Sequence, residues 1–173
     1  MNKQQLASKI WESANKMRSK IEANEYKDYI LGFIFYKFLS ETELMRLKAS
    51  DFTDEQLPQL TEDNPDIVEF VQGESGYFIA YDNLFSTWVK QGNDFEISNV
   101  RDALSAFSRN INPAQRKVFD SIFVTLQTGL SKLGTDARSQ SKAARDLIYL
   151  IKDIPMDGRQ DYDVLGFIYE YLI

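Results

Sequence analysis

The chain has 173 residues, 43% of them hydrophobic and 27% charged, with a formal net charge of −6; that length and balance predict one ordinary folded domain and not a disordered tail. With no cysteine and no histidine, it excludes disulfides, thiolate nucleophiles, Cys/His zinc centres and imidazole general bases. Charge is unevenly spread: residues 1–48 hold nine Lys/Arg against six Asp/Glu, residues 49–100 one against eleven, and residues 101–173 ten against nine, so a mildly basic start precedes an acidic middle.

The opening "MNKQQLASKIWES" is polar and amphipathic, without the apolar stretch of a signal peptide. Together with the absence of cysteine it predicts a cytoplasmic protein. Asn2 is placed to cap a first helix whose Leu6, Ile10, Ala14, Met17 and Ile21 recur at spacings of four, four, three and four, one apolar stripe. Asn24 is the expected cap of a second helix, with Glu25 in its first turn and Arg46 and Lys48 near its end. Within that helix "EYKDYILGFIFYKFLSE", residues 25–41, is apolar almost all round. Its unbroken run from Tyr29 to Tyr36 is far shorter than the roughly 20 residues of a bilayer span. The expectation is therefore no membrane partner and a core helix covered by its neighbours on most of its circumference. Residues 1–48 read as an antiparallel helical hairpin.

Residues 49–97 form an acidic connecting region. Pro58, Pro65, Gly73 and Gly76 leave room for short helices at Asp54–Leu60 and Pro65–Val71. Tyr77–Ile79 and Phe95–Ile97 are candidates for a minimal ribbon, and between them Asp82 is placed to cap a short helix turning Leu84, Phe85, Trp88 and Val89 inward. Residues 98–154 predict three further helices. Ser98 caps the first, with Val100, Ala103, Leu104 and Phe107 on one face. Asn112-Pro113 starts the second, which carries Val118, Phe119, Ile122, Phe123, Leu126, Leu130 and Leu133 to about Gly134. The third runs from Asp136 to Ile154, where Pro155 stops it. Finally, residues 161–173, "DYDVLGFIYEYLI", read as a helix capped by Asp161 or Asp163 and carrying Val164, Leu165, Ile168, Tyr169 and Leu172. It has no stop signal, which leads us to expect the front part of a longer polypeptide. The fold class expected is mainly α, a single helical bundle-like domain over residues 1–173 with at most a minimal two-stranded β ribbon.

No constellation in the sequence carries evident chemistry. The pairs Asp161/Asp163, Asp63/Asp66 and Glu41/Glu43 would act as acid and base only in a cleft that drives their pKa values apart, and caps and solvated turns explain them more simply. Neither GxGxxG, GxxxxGK[ST] nor an EF-hand pattern is present, and the prolines are never adjacent. No catalytic, cofactor-binding or metal-binding residue is therefore assigned. Lys9, Lys16, Arg18, Lys20 and Lys27, interleaved with Trp11, Tyr26 and Tyr29, are the one basic cluster with nearby aromatics and the candidate contacts to DNA phosphates. The bland alternative, cations on the wet face of amphipathic helices with aromatics in the core, stands beside it.

"LASKIWESANKMRSKIEANEYKDYILGFIFYKFLSE", "SGYFIAYDNLFSTW", "FSRNINPAQRKVFDSIF" and "DVLGFIYEYLI" together resemble the N-terminal helical domain of the modification subunit of type I restriction-modification systems. That family opens with a "W..A..LR" helix followed by "EYK..IL..IF.K..S". The resemblance implies a parent enzyme that uses S-adenosylmethionine to methylate adenine N6 in a bipartite DNA site. It implies as partners a specificity subunit, a second modification subunit, a restriction subunit and, in the assembled complex, double-stranded DNA. The segment lacks the family's cofactor and catalytic motifs, so its implied part is to hold DNA and partner subunits, with residues 161–173 leading toward a methyltransferase domain beyond it. The alternative is a free-standing acidic helical adaptor that binds protein.

Overall fold

In the computed structural model, which describes residues 2–18, 26–119, 123–156, 163 and 166 and, at 13, 14, 16–18 and 26–28, the backbone alone, the first helix begins where the sequence places it. The Gln5 N–H donates to Asn2 Oδ1 at 2.8 Å and the Asn2 N–H donates to Gln5 Oε1 at 2.9 Å. This reciprocal cap opens α1 (Lys3–Arg18). Leu6 and Ile10 are buried, as the stripe requires. The side chains of Ala14 and Met17, and all of Ile21, lie outside the described residues, as do Asn24 and Glu25.

α2 (Tyr26–Ala49) ends with Arg46 and Lys48 in its last turn, where cations favour the helix dipole. At 1.5 Å per residue it is about 36 Å long. From residue 29 to residue 44 no position is exposed, so α2 is the central rod of the core. Each large side chain buried along it contributes roughly 1.5–3 kcal/mol. Among the described residues no helix is long and apolar enough to cross a membrane.

A 3-10 helix at Asp54–Gln59 precedes α3 (Pro65–Ser75), close to the two short helices expected. Gly76 ends α3 with φ 85°, and its N–H donates to Gln72 O, a left-handed stop that glycine takes without a steric penalty. The β ribbon does not form: residues 78–80 are irregular, Ile97 opens a helix, and no described residue is in a strand. The backbone groups that would have paired are held elsewhere, the Ile79 N–H by Glu43 Oε1 and the Phe95 carbonyl by Arg145.

Two expected caps are also replaced. Asp82 lies in a 3-10 turn (Tyr81–Asn83) and caps nothing; α4 (Phe85–Gln91) instead starts with the Phe85 N–H donating to Ser40 Oγ on α2, at 2.9 Å. Leu84, Phe85 and Trp88 are buried as expected and Val89 is half-buried. α5 (Ile97–Arg109) is capped not by Ser98 but at Glu96, whose N–H donates to Asn99 Oδ1 at 2.8 Å, while the Ile97 N–H donates to Ser141 Oγ. Val100, Ala103, Leu104 and Phe107 face inward.

Asn112 caps the next segment as expected, accepting from the Ala114 N–H at 3.1 Å. The single helix expected from there to Gly134 is broken. A 3-10 turn at Pro113–Gln115 leads into α6 (Arg116–Phe119), followed by α7 (Val124–Gly129) and a 3-10 turn at Leu130–Leu133, with Phe123 non-helical at the start of α7. The break seats Phe119 against Tyr77, ring centroids 5.2 Å apart, and Phe123 against Tyr36 at 5.5 Å, with Phe107 in contact with both phenylalanines. Val118, expected in the core, is 60% exposed; Ile122 lies outside the described residues. α8 (Ala137–Ile151) is capped by Asp136, which accepts from the Ser139 N–H. The helix stops three residues earlier than expected, though Ile154 remains buried beyond it.

α1 packs on α8 and α2, and α2 on α3, α4, α7 and α8 as well. Tyr36 stacks on Trp88 at 4.7 Å with ring planes 9° apart, and Trp88 continues the aromatic chain to Phe85 and Phe95. Of the segment 161–173, Gly166 is helical and its N–H donates to Asp163 Oδ1 at 3.1 Å, the bond a capping aspartate makes. Val164, Leu165, Ile168, Tyr169 and Leu172 lie outside the described residues.

Tyr29 donates to the Gly129 carbonyl at 2.5 Å, and a Cβ at Gly129 would collide with that hydroxyl. Phe33→Asp, placing a charge where exposure is 0%, should abolish cooperative thermal unfolding followed by circular dichroism; an unchanged melt would remove α2 from the centre of the core. Gly129→Ala should cost about 1–3 kcal/mol in urea unfolding by overpacking.

Candidate functional site

The polar side chains of α2 were the part of the structure most hidden in the sequence. Lys37, Ser40 and Glu43 are buried, although Lys37 reads as a charged flank of the apolar run and Glu43 as one of a solvated pair. Lys37 Nζ donates to Glu41 Oε1 and to the Ile154 carbonyl, both at 2.6 Å, and lies 5.9 Å from the Phe85 ring centroid. Ser40 and Glu43 hold the backbone N–H groups of Phe85 and Ile79 at 2.9 and 2.7 Å. Tyr36 donates to the Asn83 carbonyl, and Tyr77 donates back to the Leu39 carbonyl, each at 2.7 Å. The signal that could have found these residues is helical: Tyr36, Ser40, Glu43 and Leu47 follow at four, three and four, so Glu43 stands on the buried face.

Burial pushes the Glu43 carboxyl well above the ordinary carboxylate range, and the Ile79 N–H opposes this only in part. The carboxyl's second oxygen has no partner among the described residues. The same burial, with Glu43 nearby, raises Tyr36 and Tyr77. The crevice beside this cluster, lined by Glu43, Arg46, Leu47, Phe70, Val71, Glu74 and Ser75, is too narrow to admit a water molecule. Glu41 turns away to Lys37, Asp63 and Asp66 are exposed, and Asp163 serves as a cap; Asp161 lies outside the described residues. Among the described residues no cluster of three or more acidic side chains could hold a metal.

Of the candidate phosphate contacts, the structure places Lys9 half-buried on α1. The side chains of Lys16, Arg18 and Lys27 lie outside the described residues, and so does Lys20 altogether. Of the five, only the Lys9 side chain is thus among the described residues. Trp11, 49% exposed, lines an open depression with Ala7, Ser8 and Glu12. Tyr29 is 2% exposed and bonded to Gly129, so it is a core residue and unavailable for stacking on a base. The middle of the chain carries the opposite sign: all eleven acidic residues between 49 and 100 are exposed. Two of them are paired, Asp54 with Lys48 at 3.5 Å and Glu62 with Arg109 at 2.8 Å, and the Arg109 hydrogen bond lowers Glu62 from its usual range. What this site offers is charged surface on a rigid frame.

Comparison with known proteins fits a part of that kind. The family described as "HsdM N-terminal domain" matches residues 6–149. A curated relative, the type I restriction enzyme MpnII methylase subunit of Mycoplasma pneumoniae, is 26% identical over 95% of this chain and 33% of its own length. The crystal structure of the type I restriction-modification system methyltransferase subunit from Streptococcus thermophilus superposes with a TM-score of 0.78 at 26% identity, over 99% of this chain and 38% of that one. The chain thus spans about a third of the curated relative's length.

Because the pKa of Glu43 is raised in the fold and the group ionises near its ordinary range when unfolded, unfolding releases a proton at pH values between about 4.3 and the elevated native pKa. Its stabilising contribution is complete below the lower of these and is lost as pH rises toward the elevated native pKa. Glu43→Gln keeps an acceptor for the Ile79 N–H and removes the ionisation. Its stability in urea should therefore gain on the wild type as pH rises above about 4.3 toward the elevated native pKa, by on the order of 1 kcal/mol per pH unit at most. Parallel pH profiles would contradict the elevated pKa of the buried carboxyl.

Proposed function

Since the chain belongs to the HsdM N-terminal domain family, we propose that it is the assembly and DNA-clamping domain of a type I restriction-modification methylase subunit. On this reading residues 1–173 act as one helical unit, and methyl transfer from S-adenosylmethionine to adenine N6 is performed by other parts of the protein. The α2–α3 crevice is too narrow for any ligand, and the sequence has no glycine-rich loop of a cofactor-binding type. The partners on this reading are a specificity subunit that reads the bipartite site, a second modification subunit, a restriction subunit and duplex DNA, in the cytoplasm.

The observation that carries the proposal is the family match over residues 6–149, and the surface agrees with it in kind. A frame without a ligand-sized crevice beside its buried carboxyl offers contact, not chemistry. Lys9, Lys16, Arg18, Lys20 and Lys27 remain the sequence's candidates for phosphate contact, and the acidic surface of residues 49–100 is suited to protein and opposed to DNA.

The chain should bind duplex DNA only when the specificity subunit is present, and that binding should weaken steeply with salt as condensed counterions cease to favour release. A folded chain that ignores both DNA and subunit would overturn the assignment.

A further inference from the structure

Outside the cluster that the sequence singles out, one face of α8 carries a row of cations. Arg138, Lys142, Arg145, Tyr149 and Lys152 follow at spacings of four, three, four and three, which places them along one side of the helix. Arg138, Lys142 and Tyr149 are exposed, and Arg145 and Lys152 half-buried. The opposite face, with Ala144, Leu147, Ile148 and Ile151, is buried. From Arg138 to Lys152 the row is about 21 Å long, with steps of about 4.5–6 Å.

The fold orients several of these groups. Arg145 Nη2 donates to the Phe95 carbonyl at 3.2 Å. Arg101, on α5, donates to Gln140 Oε1 at 3.0 Å, and Gln140 is itself fixed by the Ser131 and Gly134 carbonyls at 3.2 Å each. Lys152 Nζ lies 5.8 Å from the centre of the Tyr149 ring. Acids stand against the row, Asp146 on Lys142 at 3.0 Å, Asp153 on Lys152 at 3.4 Å and, beyond ion-pair distance, Asp136 near Arg138, and the turn carrying Asp94 and Glu96 reaches it at Arg145. Among the described residues Arg101, Arg138 and Arg145 have no ion-pair partner.

We propose that the outer face of α8, through Arg138, Lys142 and Lys152 with Arg101 and Arg145 beside them, is the surface on which this domain meets the phosphate backbone of duplex DNA; the inference rests on the clamping role proposed above. A straight row of cations at these steps fits a polyanion whose charges are regularly spaced, and exposed lysine and arginine stems can adjust to phosphates without reading sequence. The acidic residues of the middle third oppose approach of DNA over their own surface, which leaves the α8 side as the favourable one.

The test uses the full-length protein assembled with its partner subunits, carrying Arg138→Gln, Lys142→Gln and Lys152→Gln together. These are surface changes that leave the melting temperature unmoved within the usual small range. Each lost phosphate contact lowers the slope of log K against log salt by about 0.9. The triple variant should therefore have a slope shallower by about 2.7, and between 50 and 200 mM salt the wild type should lose about 40-fold more affinity than the variant does. A variant with the wild-type slope overturns the α8 assignment. Loss of subunit association on gel filtration, with DNA affinity of the remaining complex unchanged, also overturns it and makes the face a site for an acidic protein segment. A wild-type complex with no salt-dependent DNA binding instead overturns the clamping role itself.

Discussion

The fold depends on the hydrogen bonds that α2 sends out of its own cylinder. Residues 77–84 contain only one 3-10 turn, yet much of the segment is buried, and a buried peptide group without a partner costs about as much as a lost hydrogen bond. Ser40 and Glu43 supply acceptors for Phe85 and Ile79, while Tyr36 and Tyr77 donate to Asn83 and Leu39. A purely apolar α2 would bury as much surface and leave this segment unpaired. The polar residues on the buried face are therefore structural, and burial favours the neutral form of Glu43 because the Ile79 N–H compensates a charge there only in part.

Tertiary capping follows the same logic elsewhere. α4 and α5 begin with backbone donors satisfied by serines of other helices, Ser40 on α2 and Ser141 on α8, so the start of each helix is tied to the packing of another. Lys37 does the equivalent at the far end, binding the Ile154 carbonyl just beyond α8. These ties fix α8 relative to α2, and with it the direction in which the outer face of α8 points.

That rigidity suits a contact domain. Among the described residues, exposed acids run through residues 49–100 and a cationic row lies on α8, while the α2–α3 crevice next to Glu43 is closed even to water. On the proposed role, long-range repulsion and attraction together would orient the domain on a polyanion.

Much of the architecture was legible in the residues. The Asn2 and Asn112 caps, the start of a helix near Asp136, the short helices after Asp54 and Pro65, and the core position of the run from Tyr29 to Tyr36 all follow from local chemistry and periodicity, which the sequence carries directly. The mainly α class was legible for the same reason, and the family through the resemblance of four stretches of sequence. The ribbon, the Asp82 and Ser98 caps and the unbroken helix to Gly134 were not, because each was settled by a partner distant in the chain: Glu43 took the Ile79 N–H, Ser40 and Ser141 took the helix starts, and Phe119 and Phe123 were drawn to Tyr77 and Tyr36. The phosphate-contact candidates divide likewise. Sequence proximity grouped Lys9 with Tyr29, but packing buried Tyr29 against Gly129, and the cations of α8 became a single surface only when Leu147, Ile148 and Ile151 turned the opposite side of that helix into the core.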